Sequence, residues 1–272
     1  MRPPQKTRTR DSLASIAPNA LLGDKRRPMD NSFMVGLSAQ QVLRQRMDMT
    51  ANNLANMTTA GFKAERLVMR ELSERPAAAH DTPQEIAFVD AWRLQRDFST
   101  GPLEQTGNPL DLAIEGEGFF VVQTSEGEAY TRDGRFALDT QGRVITRNGD
   151  LVMGEGGPIT VDPNGGPISI SREGSISQNE AVLGKFRTAA FDTPAALEKV
   201  GNNMWRSTGE AARAPDENSR IAAGFVEGSN VNAVQELTQM IEISRAYQAV
   251  SKMISQSDEL RGASIEKLTR FG

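Results

Sequence analysis

Asn232-Ala233-Val234-Gln235-Glu236-Leu237-Thr238-Gln239-Met240-Ile241-Glu242-Ile243-Ser244-Arg245-Ala246-Tyr247-Gln248-Ala249-Val250-Ser251-Lys252-Met253-Ile254 is the stretch on which the reading of the fold turns. Met240, Ile243, Tyr247, Val250 and Ile254 recur at intervals of three and four, the signature of an α-helix with one apolar face. A second row, Val234, Leu237, Ile241, Ser244 and Gln248, runs beside the first and widens that face. Asn232, with Gln235 three residues on, resembles a capping box, and Gly262 is the expected stop, with the helix persisting to about Arg261.

Working back from this helix, the period changes to two. Between Pro109 and Val226, Leu110, Leu112 and Ile114 alternate, and Phe119 to Val122 form a short apolar run. Turn dipeptides at Asp133-Gly134, Gln141-Gly142, Asn148-Gly149 and Asn164-Gly165 punctuate strand-length pieces. Short strands with turns between them, and no helix-length segment for a crossover, indicate an all-β unit of sandwich or irregular-barrel type. Residues 107–227 are assigned to it. Residues 63–106 give a mixed signal: Lys63 to Ser73 could continue a helix, then Pro76, three Ala and Pro83 break the pattern, and the interval reads as a linker with short extended pieces.

At the other end, Asn31 to Met57 runs without Pro and again has helical spacing. Val35, Val42 and Met49 recur at sevens, beside Leu43, Met47, Thr50, Leu54 and Met57, and Gly61 is the expected left-handed cap that ends the helix. The fold class is therefore mixed α and β: long N- and C-terminal helices forming a coiled-coil domain from residues 29–62 with 228–272, and an all-β domain inserted between them. A broad apolar face on each helix has to be covered. One helix pair leaves half of a wide stripe open, which points to neighbouring subunits packed head to tail.

Composition narrows the function further. The 272 residues hold 38% apolar and 24% charged residues, the range of ordinary folded proteins, and no apolar run is long enough for a membrane-spanning helix. With no Cys and a single His, His80, thiolate chemistry and the usual multi-histidine metal sites are excluded, so no catalytic, metal or cofactor-binding residue is assigned. Residues 1–28 carry seven Lys and Arg against two Asp, leaving a charge of −9 on residues 29–272 of a chain whose net charge is −4. This basic, proline-containing segment has no aromatic residue to stack on bases and no apolar core for a cleaved Sec signal, so it reads as a disordered extension rather than a nucleic-acid arm. Glu115 and Glu117, which straddle Gly116, have the composition of a hydrolytic carboxylate pair but read as a solvated hairpin edge.

Three stretches carry a specific resemblance. Asn52-Asn53-Leu54-Ala55-Asn56-Met57-Thr58-Thr59-Ala60-Gly61-Phe62-Lys63 resembles the N-terminal signature of the flagellar axial proteins, the family of rod, hook and hook-associated subunits. Gly107 to Phe120, followed by Tyr130-Thr131-Arg132-Asp133-Gly134-Arg135-Phe136, is similar to the opening of their β domain, and Glu227 to Leu237 with Arg245-Ala246-Tyr247 is similar to their C-terminal signature. The short interval from Ala64 to Thr106 is similar to that of proximal-rod members, with distal-rod or other hook and rod members as the alternative. Family members start near Met29-Asp30, so residues 1–28 are either a lineage extension or a misplaced start.

The resemblance implies a structural subunit of the flagellar basal body, not an enzyme, that spans the periplasm as part of a rod and transmits torque. Other rod subunits, proximal and distal, and the flagellar type III export apparatus are the implied partners, with no nucleic acid, small-molecule substrate or direct membrane insertion. Export would proceed from the cytoplasm without a cleaved Sec signal. The expected assembly interface comprises Val35, Val42, Met49, Leu54, Asn52, Asn53 and Asn56 on the first helix and Val234, Leu237, Met240, Ile241, Ile243, Tyr247, Val250 and Ile254 on the second, with Gly61 and Phe62 forming the motif turn.

Overall fold

The computed structural model of the chain describes residues 29–74, 86–209, 211–216 and 218–270; the basic segment 1–28 and His80 lie outside these described residues. In chain order the elements are helix α1 (Met29–Ala55), strands β1 (Glu65–Glu74), β2 (Ile86–Arg96), β3 (Leu103–Gln105), β4 (Leu112–Glu115), β5 (Phe119–Thr124), β6 (Gly127–Thr131), β7 (Ala137–Leu138), β8 (Val144–Ile145), β9 (Leu151–Gly154), β10 (Gly157–Pro158), β11 (Ile168–Ile170), β12 (Ser175–Gln178), β13 (Ala181–Lys185), β14 (Thr188–Ala189), β15 (Glu198–Gly201), β16 (Met204–Arg206), β17 (Arg220–Ala223), β18 (Phe225–Glu227) and helix α2 (Ala233–Arg270). The architecture is mixed α and β, with a β-rich body between two helices.

The body is antiparallel throughout. Its largest sheet has the order β15-β16-β6-β5-β9-β8-β7, with β14 also paired to β5 and β10 to β9. Phe119 to Val122 on β5 is buried on both faces, which is why this run reads as uninterrupted apolar rather than alternating. Phe120 and Val122 join Leu112, Ile114, Phe136, Phe186 and Ile221 in one cluster, while Phe119 and Val121 join Tyr130, Phe191, Leu197 and Trp205 in another. The second cluster is built from edge-on ring contacts, Tyr130 to Phe191 at 4.8 Å and Phe98 to Trp205 at 5.2 Å between centroids.

Several local expectations change. The interval expected as a linker, with a possible helical continuation from Lys63, instead carries two long strands, β1 and β2, paired with each other over Glu65↔Arg96 to Glu74↔Ile86. Asp133-Gly134 is not a hairpin turn, since β6 and β7 do not pair with each other; Gly134 is needed because a Cβ there would lie 1.6 Å from the Leu112 carbonyl oxygen. The first helix ends at Ala55, so Gly61 does not cap it. Gly61 sits in the turn beyond, at φ +65°, with the Asp133 amide nitrogen 2.5 Å from where a Cβ would stand. The last helix runs through Gly262 to Arg270. Asn232 caps its start, with its side-chain oxygen accepting from the Gln235 amide at 3.1 Å, which is one arm of the expected capping box.

Candidate assembly site

Helices α1 and α2 run antiparallel against each other. Gly36 faces Ile254, Gln40 donates to the Tyr247 hydroxyl at 3.0 Å and to Ser251 Oγ at 3.1 Å, and Thr50 and Asn53 share a groove with Glu236 and Gln239. The row Met240, Ile243, Tyr247, Val250 and Ile254 is the inward face of α2, with Ile243 buried at 4% exposure and the others half-buried. The second row points the other way. Val234 is 75% exposed, Leu237 47% and Ile241 54%. On α1, Val42 is buried, Met49 and Leu54 are half-buried, and Val35 is exposed. The chain thus presents an apolar face on α2 that its own partner helix leaves open.

The Asn residues at the end of α1 divide differently from expectation. Asn53 is buried and spends both ends of its amide within the chain: Nδ2 donates to the Glu65 carbonyl at 2.8 Å and Oδ1 accepts from the Glu65 amide at 3.0 Å, pinning the first strand to the helix. Asn56 also bonds locally, to the Asn52 carbonyl and to Thr59. Both are therefore intrachain devices rather than groups available to a neighbour, because their amides are already satisfied. Asn52 remains exposed. Phe62 is buried at 2% exposure, with the Lys199 ammonium 5.1 Å from its ring centroid.

Beneath the helices lies a buried polar junction that sequence reasoning did not single out. Glu227, fully buried at the end of β18, accepts from Lys63 Nζ at 2.5 Å and from the Gly101 amide at 3.0 Å on Oε1, and from Arg132 Nη1 at 3.1 Å on Oε2. Lys63 also donates to the Ser99 carbonyl at 2.7 Å, and Arg132 donates to the carbonyls of Ile114 and Gly116. Burial pulls the Lys63 ammonium below the ordinary lysine value, opposed by the attraction of Glu227. Asn230 completes the junction: Oδ1 accepts from the Ala64 amide at 2.7 Å, and Nδ2 donates to the Asp97 carbonyl at 2.8 Å. Three stretches far apart in sequence, 60–65, 97–101 and 227–230, are knotted at one point. The available signal was that Lys63 and Glu227 terminate the two motif stretches, although charge pairing across 164 residues cannot be read from spacing.

Glu115 and Glu117 are exposed, and Glu117 pairs with Arg213 at 2.9 Å in a surface network that also takes in Asp192 and Asp216. No group of His, Cys, Asp and Glu suited to a metal ion occurs among the described residues, and no helix among them is long and apolar enough to cross a membrane.

Comparison with known proteins fits this geometry. Residues 33–63 match the family model described as flagella basal body rod protein, residues 113–178 the flagellar hook protein FlgE/F/G D1 domain, and residues 222–267 the flagellar basal body rod FlgEFG protein C-terminal region. The flagellar basal-body rod protein FlgF of Caulobacter vibrioides is 41% identical over 244 residues, covering 89% of this chain and 100% of that protein. The chain belongs to the flagellar basal-body rod protein family. FlgF of Mesorhizobium japonicum is 33% identical over 88% of this chain and 98% of its own length, and FlgG of Bacillus subtilis 31% identical over 85% and 97%. In this rod-family chain the N-terminal match covers most of α1 and ends on Lys63, while the C-terminal match enters along β17 and covers most of α2, so the buried Lys63–Glu227 pair joins the two matched regions.

Proposed function

We propose that this chain is a structural subunit of the flagellar basal-body rod, built into a helical tube through α1 and α2, which together form its coiled-coil assembly domain. The observation that carries the reading is the outward face of α2, where Val234, Leu237 and Ile241 stay open to water in the single chain. Each would contribute roughly 1.5–3 kcal/mol if fully covered, so stacking copies or related subunits on this face is strongly favoured. The inward rows of both helices join the subunit to itself, and the outward row of α2 with exposed Met34, Val35 and Leu37 of α1 joins it to its neighbours. The names of the relatives, all structural rod proteins, support a non-enzymatic role and a place in the basal body.

Similarity to FlgF over most of the chain supports a proximal position in the rod, beside other rod subunits, proximal and distal. FlgG relatives of comparable coverage favour, as the second reading, a distal position. Delivery by the flagellar type III apparatus without a cleaved Sec signal, and an unordered basic extension before the first helix, complete the proposal. Purified basal bodies treated with a short lysine cross-linker decide the matter. Cross-links from this chain to rod subunits near the inner membrane support the proximal position, links toward the hook support the distal one, and absence of the chain from basal bodies removes the reading altogether.

A further inference from the structure

A groove of about 290 Å³ opens between α1, α2 and the root of β1, lined by Arg46, Thr50, Asn53, Arg66, Glu236 and Glu242 among others. Glu236 is only 5% exposed, and its Oε2 has no hydrogen-bond partner among the described residues. A carboxylate oxygen left in that state forfeits the bonds it would have had to water, so the site lacks a donor. Arg46 and Arg66 line the same walls, yet neither bonds that oxygen.

The donor best placed to supply it sits on the outward face of α2. Arg245 is exposed and forms no ion pair among the described residues. Nine residues beyond Glu236 on the same helix, it is about 13 Å away along the axis and on the opposite side, so it cannot reach its own Glu236. It lies one helical turn, about 6 Å, beyond Ile241, at the end of the exposed row Val234, Leu237 and Ile241. A copy that lays this row against the groove side of its neighbour brings Arg245 to the groove with it.

We infer that the groove receives the Arg245 side chain of a second copy of this chain, whose guanidinium pairs with the Glu236 carboxylate. The inference rests on the proposed assembly through the helices and adds a specific, desolvated contact to it. A planar guanidinium suits the pairing, since it matches a carboxylate with two parallel bonds and is weakly hydrated.

Sedimentation velocity on the full chain over a range of concentrations, with urea unfolding of the dilute protein, tests this. Glu236→Gln and Arg245→Gln should each weaken self-association at least about tenfold, with the double variant no worse than either, because they remove one and the same pair. Glu236→Gln should leave the urea midpoint of the dilute chain unchanged or raised, and Arg46→Gln should leave self-association unchanged. A fall in the midpoint shared by Glu236→Gln and Arg46→Gln would assign the carboxylate to an internal pair and overturn the inference, as would undiminished association of Glu236→Gln or Arg245→Gln. If the unmodified chain does not self-associate but is recovered in basal bodies, this contact is wrong while the rod assignment stands.

Discussion

Glu227 is the residue on which most of this molecule's long-range order converges. Its carboxylate holds Lys63, Arg132 and the Gly101 amide, and its backbone carbonyl accepts from Gly61 at 2.7 Å. Glu227→Gln keeps the shape but leaves two buried cations facing an uncharged amide. Removing one partner of a buried pair costs about 3–5 kcal/mol, so the urea midpoint of the body should fall sharply. Asp97 gives a pH signature at the same junction. Its carboxylate accepts from the Ser99 amide at 2.9 Å, and this hydrogen bonding, partly opposed by burial, holds its pKa below the ordinary aspartate value. A carboxylate depressed in the folded state binds fewer protons there than when unfolded. Its stabilisation is therefore complete above the unfolded value, about pH 4, and is lost as pH falls through the lower folded value. Urea unfolding between about pH 2 and pH 6 should show this acid loss in the natural chain and a shallower slope in Asp97→Asn; parallel curves would assign the acid sensitivity elsewhere.

At the scale of elements, α2 offers a controlled comparison within two residues. Ile243 faces α1 and is buried, whereas Ile241 points outward at 54% exposure. Ile243→Asp places a carboxylate in the helix interface and should cost about 3 kcal/mol or more, unravelling the helix pair while the β body stays folded. Ile241→Asp should leave the circular dichroism of the dilute chain within error and still abolish incorporation into the rod. Equal loss of helicity in both variants would mean that the outward row is part of the subunit's own packing. Both rows were legible in the sequence because each repeats at helical spacing over five positions. The β1–β2 hairpin was not: Glu65 to Glu74 contains the helix formers Glu, Arg, Leu and Met, with Val68 as its one β-branched residue, and its partner strand begins beyond Pro76 and Pro83. Pairing across such a gap is decided by tertiary context that local propensity does not hold. The overrun of α2 through Gly262 has the same origin in reverse, since one exposed glycine costs a helix only about 1 kcal/mol and the flanking residues favour it.

For the molecule as a whole, the apolar cores and the helices are segregated. Both buried clusters consist entirely of residues in the β body and its flanking loops, while Val42 alone on α1 and Ile243 alone on α2 are buried large apolar residues among the described ones. A helix pair of this length with so little buried area is held mainly by Gln40, Tyr247 and Ser251 and by its roots at Asn53 and Asn232. Isolated helices gain most of their stability from packing, so the pair should open far below the global unfolding free energy. Hydrogen exchange on dilute protein should therefore show amides of α1 and α2 exchanging at least about tenfold faster than those of β5 and β6, with protection decreasing from the Asn53 and Asn232 roots toward Gly36 and Ile254. In assembled rods the gradient should vanish, because neighbouring chains then cover Val234, Leu237 and Ile241 and the opening would have to break several contacts at once. Helices as protected as β5 in the dilute chain would show that the subunit completes itself alone, and covering the open face of α2 would then add too little stability to recruit neighbours.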